Sequence, residues 1–442
     1  MTQQSDPSTA SAPSGPAIVQ TRKAVPRRGP GSVFRGAPRP LRHPAFLRVW
    51  LSGLFVYPAR FADITTVAWL VAQHTDRPSQ VALIAVFRWL PYLIAGPWIG
   101  LMIDRLPRLR VLRLAQASMA AGAVVVGILG LTGRIEVWHI YAYTAFSGLT
   151  WTVDLPARRA YMRGVVGRRS TTVALALDQL TWHTGLLLGS NLAGLVLDKF
   201  NPGWIFIGVA GSVLLGLPLL AGLPRLSRIG GPRPPSPFRA LLEGVRFIRS
   251  DRTLIGVMLL VAITNTFGFG FEAMTPVFAE DVLHASAAKF GLLMSAQGIG
   301  SVIGGLVLIR IGHRLKRHAF VLMCVVIGNH VASLLLALSA WYSASFTVLV
   351  LAGISGNLFG VMSTSIFLLL TPDVMRGRVL GLHIFVIGCY PLGIYGLGQL
   401  SDALGPGRAL AVVASIGITL ALAVFVAFPE LRRPTRPLDR SG

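Results

Sequence analysis

The sequence predicts an all-α membrane protein, with twelve transmembrane helices in two pseudo-symmetric six-helix bundles. Three observations predict it. Of 442 residues, 53% are hydrophobic and 13% charged, and the mean hydropathy is +0.63. A soluble chain of this length needs a more charged surface, so the apolar excess must face lipid. Second, apolar runs of about 20 residues, long enough to cross a bilayer core as helix, recur along the chain. Third, 34 of the 41 Lys and Arg fall in 1–48 and in every second loop thereafter. That alternation places both termini in the cytoplasm of a multi-pass cell-membrane protein. It also excludes a nucleic-acid partner as the meaning of the +24 charge, since a nucleic-acid face would gather its arginines on one element.

The predicted organisation is a disordered basic tail over 1–45, a first bundle over 46–222, a cytoplasmic linker over 223–253, a second bundle over 254–428 and a short tail over 429–442. The spans are 47–73, 80–102, 111–132, 138–155, 171–197, 203–222, 254–279, 288–309, 319–340, 347–370, 380–401 and 408–428. Cys324 and Cys389 lie in apolar runs, so no disulfide framework is implied. No phosphate-binding glycine loop, metal-ligand spacing or nucleophile elbow is present, which argues against an enzyme, a cofactor or a metal.

Helix 1 carries Pro58, Arg60 and Asp63, and helix 2 carries Arg88. A proline there predicts a break, tolerated only against protein or water. Each central charge costs about 2.5–3.5 kcal/mol in lipid, so Arg60, Asp63 and Arg88 must be paired or hydrated. At about 1.5 Å per residue, Asp63 and Arg88 reach similar depths on antiparallel neighbours, and Arg60 lies one turn from Asp63 as a rival partner. Such a pair either locks the hairpin or sits in a transport path as a charge relay.

Between helices 2 and 3, Gly100, Asp104, Arg105 and Arg108 form a charged corner at the cytoplasmic edge. Helix 4 ends by this reading in Asp154-Leu-Pro156-Ala-Arg158-Arg159, a second acid-and-arginine boundary. Helix 5 holds Asp178, placed to reach the cytoplasmic face, and His183, either a hydrogen-bonded core group or a proton carrier. Its Gly185, Gly189 and Gly194 allow close helix approach. The linker is proline-rich and then amphipathic over 238–249, which suits an interfacial helix on the inner leaflet.

The second half echoes the first. Gly305 and Arg310 follow Gly100 and Arg105 by the same interval, with Ile309 in place of Asp104, and Ser355-Gly356 echoes Ser147-Gly148. Helix 7 is interrupted by Asn265, Gly268, Gly270, Glu272 and Pro276, as helix 1 is by Pro58. Paired interruptions point to a central binding site. Glu272 is a further relay candidate or a residue solvated at the outer mouth, and Asn265 and Asn357 reach mid-depth where they could bind a ligand or a neighbouring helix.

The corner Gly100-Leu-Met-Ile-Asp104-Arg105-Leu-Pro107-Arg108 resembles the loop signature of the major facilitator superfamily, with Pro107 for the usual second glycine and Leu109 at a basic position. Asp154-Leu-Pro156-Ala-Arg158 and Pro372-Asp373-Val-Met-Arg376-Gly377-Arg378 are similar to its siderophore and drug exporter branch. The resemblance implies two bundles rocking around a cavity lined by helices 1, 4, 7 and 10, with Asp104 as a latch against the inner end of helix 11. It also implies cytoplasmic gate motifs at Asp154, Pro156, Arg158, Asp373, Arg376 and Arg378. The implied function is secondary active export of an amphipathic, drug-like or siderophore-like small molecule, with protons as coupling ion. Departures from the family are Gly189-Ser190 where antiporters carry Gly-Pro, and no membrane-embedded arginine in helix 4 as bounded above. The alternatives are an importer or lipid flippase of the same fold, or a non-transporting receptor or scaffold.

Overall fold

Where an apolar run is long, hydrogen-bonding its own backbone is the only way to cross lipid, and the chain takes that solution throughout. The structure, a computed structural model, describes residues 39–75, 77–167, 170–224, 237–311, 315 and 317–434. Within its helices the side chains at 96–105, 172, 237, 238, 240, 241 and 373 fall outside the description. The helices are α1 (Pro44–His74), α2 (Pro78–Arg105), α3 (Arg108–Leu131), α4 (Val137–Val166), α5 (Thr171–Lys199), α6 (Gly203–Gly216), α7 (Pro237–Ile248), α8 (Arg252–Ile263), α9 (Gly270–Val277), α10 (Ala287–Ile311), α11 (His318–Ala337), α12 (Tyr342–Leu370), α13 (Asp373–Ile387), α14 (Tyr390–Leu404) and α15 (Pro406–Ala427). A π-helical turn, Thr264–Gly268, joins α8 to α9, and a second, Phe278–Val282, extends α9, so that together they make the seventh span. Helix 11 is α13 followed by α14, broken at Gly388 and Cys389. Pro391 explains that break, because its ring cannot continue the preceding helical ladder.

Eleven described helices are long and apolar enough to cross a membrane. The 30-residue α4 is the twelfth. It is less apolar because it carries Asp154, Arg158 and Arg159 inside the helix. The expected end at 155 is therefore corrected: Pro156 lies within α4, which continues to Val166. The expected break at Pro58 is likewise absent, since α1 is one helix of 31 residues with Pro58 inside it. The reason is packing. A methyl group at Gly185 or Gly189 of α5 would collide with the backbone of Tyr57 or Pro58, so α5 lies directly against the proline turn and supports it.

Packing repeats between the halves. In the first, α2 packs on α4, α3 on α4 and α6, and α1 on α5 and α6; in the second, α10 packs on α12, α11 on α12 and α15, and α8 on α15. The most extensive packing between the halves is α5 with α10 and α2 with α14, and α9 also touches α1 and α2. The buried apolar groups form separate clusters at the end bearing the arginine-rich loops, one around Phe46, Leu112 and Tyr161 and one around Leu254, Leu322 and Phe367. At the opposite end one cluster takes Trp69 and Ala82 from the first half together with Phe290, Met274 and Leu397 from the second, and a neighbouring first-half cluster around Leu70, Val81 and Phe206 takes in Val277 of α9. The halves thus share a core at one end and keep their own at the basic end.

Candidate functional site: buried charges between the helices

Asp63 is fully buried and Arg88 is 9% exposed. Arg88 Nη1 donates to Asp63 Oδ2 over 3.2 Å, and Ser147 Oγ of α4 donates to the same oxygen over 3.1 Å. The pairing comes from glycine: a methyl group at Gly148 would collide with Arg88 O, so only glycine lets α4 and α2 approach closely enough to bring Ser147 to the carboxylate. Arg60 turns away from Asp63, donating to Ser147 O over 3.3 Å with its guanidinium 4.4 Å from the Trp151 ring centre. Trp151 belongs to an edge-to-face cluster with Trp182 and Phe61. One oxygen of Asp63 and one nitrogen each of Arg60 and Arg88 have no hydrogen-bond partner among the described residues.

A second buried network lies one to two turns toward the basic end. Arg158 is 0% exposed, donating to Val49 O over 2.8 Å and to Ser52 Oγ over 3.3 Å. Its Nε stands 3.9 Å from Asp154 Oδ2, and its guanidinium lies over the Tyr57 ring. Gln116 donates to Asp154 Oδ1 and Tyr57 to Asp178 Oδ1, while the half-exposed Arg159 lies 3.9 Å from Asp178 Oδ2. Asp154 and Arg158 thus hold α1, α3 and α4 together inside the first half, in place of the expected loop boundary. Helix 4 does carry an embedded arginine, and Asp178, 1% exposed, is a core group instead of a cytoplasmic one.

Glu272 stands 209 residues after Asp63, and Gln297 the same interval after Arg88. The glycine device repeats as well: a methyl group at Gly353 of α12 would collide with Gln297 O, as one at Gly148 would with Arg88 O. The equivalent of Gly148 is therefore Gly353, and the echo at Ser355-Gly356 makes no such approach. With glutamine in the arginine's place, Glu272 has a phenolic partner: Tyr390 Oη donates to its Oε2 over 2.9 Å. The Tyr390 ring is 5.8 Å from Trp89 of the first half and 6.4 Å from Phe269. Glu272 is half-buried, and through Tyr390 it lies near Trp89 of the first half.

His183 and Asn357 also meet across the halves, with 3.2 Å between His183 Nε2 and Asn357 Nδ2. Asn265, 4% exposed, donates to Val261 O of its own span. The carbonyl released at Gly268 accepts from Asn329 and Ser333 of α11, which offsets the cost of the π-helical turn. Arg376 donates to Thr371 O, and Arg378 pairs with Glu243 of α7 at 2.9 Å. The linker helix therefore docks on α13, with Gly244 against the backbone of Arg378. Arg108 donates to Ala160 O of α4. The side chains of Asp104, Arg105 and Asp373 and the surroundings of Gly100 lie outside the described residues. The tail 1–38 does so entirely.

Sequence reasoning misses Ser147, Trp151, Tyr390 and Trp89 as site residues. Ser147 is visible there only as part of an echo, and the aromatics carry no spacing signal because their partners lie on other helices.

Twelve helices in two packed halves, with charges buried between them and a core shared at one end, define a secondary transporter of the major facilitator type, and not an enzyme. Residues 36–437 match the family described as transmembrane secretion effector, and the chain belongs to that family. It is 28% identical over 420 residues to the enterobactin exporter EntS of Salmonella choleraesuis (strain SC-B67), covering 90% of this chain and 96% of that protein. To the enterobactin exporter EntS of Shigella boydii serotype 4 (strain Sb227) it is 27% identical, covering 77% and 81%. Among solved structures it resembles a bacterial homologue of the lysosomal transporter Spinster, inward-facing and unoccupied, at a TM-score of 0.61, 15% identity and coverage of 88% and 96%. It also resembles a point mutant of the nucleoside transporter NupG at a TM-score of 0.69, 12% identity and coverage of 87% and 100%.

Proposed function

We propose that this protein exports an amphipathic, siderophore-like or drug-like small molecule across the cell membrane against proton entry, by alternating access. The observation that carries it is the uneven packing of the two ends. A core shared at one end and divided at the basic end describes a transporter open toward the basic loops, which the positive-inside rule assigns to the cytoplasm together with both termini. Cargo then enters from the cell interior, and the exporter relatives supply its class.

Asp63 and Arg88 form a neutralised pair which, with Arg60 on Ser147 O, fixes α1, α2 and α4, and Glu272 is the proton carrier. The argument is charge balance: Asp63 faces a guanidinium and a hydroxyl, whereas Glu272 faces a phenol at the seam between halves and can change charge without breaking an ion pair. His183 and Asn357 join the halves at mid-depth, and Asn265 supports the interrupted seventh span. Arg158 and Asp154 brace the first half. Asp104, with Gly100, Arg105 and Arg108, is the latch that closes the cytoplasmic end, and Asp373, Arg376 and Arg378 form the helix 11 end it meets.

Everted vesicles with a lumenal pH dye test this. Addition of a catecholate siderophore or a lipophilic amine should release protons from an acidified lumen, and Glu272→Gln should abolish the release while Asp63→Asn reduces it. If neither compound moves protons through the unaltered protein, the coupling falls; if Glu272→Gln retains full coupling, Glu272 is not the carrier.

A further inference from the structure

The end opposite the basic loops carries a contact whose chemistry suits a latch. α2 begins at Pro78, which has no N–H, so Ser79 offers the first free backbone donor of that helix. The carboxylate of Asp402, in the last turn of α14, takes it: Ser79 N donates to Asp402 Oδ1 over 3.0 Å, and Ser79 Oγ donates to Asp402 Oδ2. Asp402 therefore caps a helix of the other half, and the capping charge is favoured by the positive end of that helix. One turn earlier Gly398 makes the reach possible, since a methyl group there would come within 2.6 Å of Ala82 Cβ and 2.8 Å of Ser79 Cα.

The same spacing occurs at the end of α5. Gly194 packs against α10, where a methyl group would stand 2.6 Å from Ala287 O and 2.9 Å from Gly291 Cα. Asp198, one turn on, opens on a cleft of about 380 Å³ whose far wall includes Ser286 and Ala287, at the start of α10. The spacing occurs a third time at Gly100 and Asp104, at the end of α2. At the end of α10, Gly305 is followed four residues later by Ile309.

We infer that Gly398-x-x-x-Asp402 is a latch that holds the non-cytoplasmic end of the transporter closed, the glycine admitting the partner helix and the acid capping its first turn. Asp402 is a positioning residue, acting through the N-terminus of α2 and touching no cargo. Opening that end pulls α14 from α2, exposes Ser79 N–H and loses the cap. α2 thus receives an acid at its first turn from the opposite half and carries its own acid, Asp104, at its last. The inference requires only that the halves move, and depends on neither the cargo nor the coupling ion.

The test uses the full chain in liposomes, with Cys324→Ser and Cys389→Ser to remove the native thiols. Ala287→Cys, buried at the sealed end, is the reporter, and an impermeant maleimide supplied on that side reads how often the end opens. Loss of a helix cap is worth about 1 kcal/mol, or about fivefold in an equilibrium. Asp402→Ala should raise the labelling rate about fivefold, Asp402→Asn less, and Ser79→Ala combined with Asp402→Ala no further than Asp402→Ala alone. Unchanged labelling in Asp402→Ala overturns the latch. Equal acceleration at a Cys placed at Ala157, in the core at the other end, with the maleimide supplied on the cytoplasmic side, also overturns it, because general loosening and not opening would then be the cause.

Discussion

At the scale of single residues the buried charges are not equivalent. Arg88→Ala leaves Asp63, 0% exposed, without its cation, and should cost about 3–5 kcal/mol, since an orphaned buried charge keeps its desolvation cost. Combining it with Asp63→Ala should recover much of that loss, read as thermal unfolding in detergent. Glu272→Gln keeps an acceptor for Tyr390 Oη and should leave the unfolding temperature nearly unchanged while removing the pH dependence of transport. The need for a partner is legible in the sequence, through the cost of a charge in lipid, and depth counting brings Asp63 to Arg88. Nothing in it signals that Arg60 turns to Trp151 or Ser147 to Asp63. Those contacts depend on how closely α4 approaches α2, and Gly148, which sets the approach, has no partner visible in one dimension.

At the scale of helices, glycine position separates structural from permissive sites. Gly189→Leu drives a side chain into Pro58 O and should lower the unfolding temperature and yield, by about 1–3 kcal/mol or more. Gly208→Leu, which meets nothing within 4 Å, should be tolerated. The helix 5 glycines are legible as an approach face, but α1 and α10 as its two partners are not. The amphipathic period of α7 is legible too, yet its docking on α13 depends on Glu243, Gly244 and Arg378 being brought together over more than a hundred residues. Glu243→Ala should lower hydrogen-exchange protection of α7 while that of α15 is unchanged. The end of helix 4 differs from expectation for a physical reason: Asp154 and Arg158 satisfy one another and their neighbours inside the bundle, so charge there marks a brace and not a boundary.

At the scale of the whole molecule, the division of cores predicts a distance change. Spin labels on α13 and α3 near the basic loops should report a short-distance population that grows when cargo is added, while labels at the other end move apart. Absence of anticorrelation would count against rocking halves. Twelve spans and their alternation are readable because each follows from local composition; which end is sealed is not, because it depends on contacts between α5 and α10 and between α2 and α14. The turn at Gly268 has a mechanical consequence. Its carbonyl bonds to Asn329 and Ser333, so the seventh span hangs from α11 as from a bracket and bends there without surrendering a hydrogen bond. A displacement at Glu272 must pass this held turn before it reaches α8.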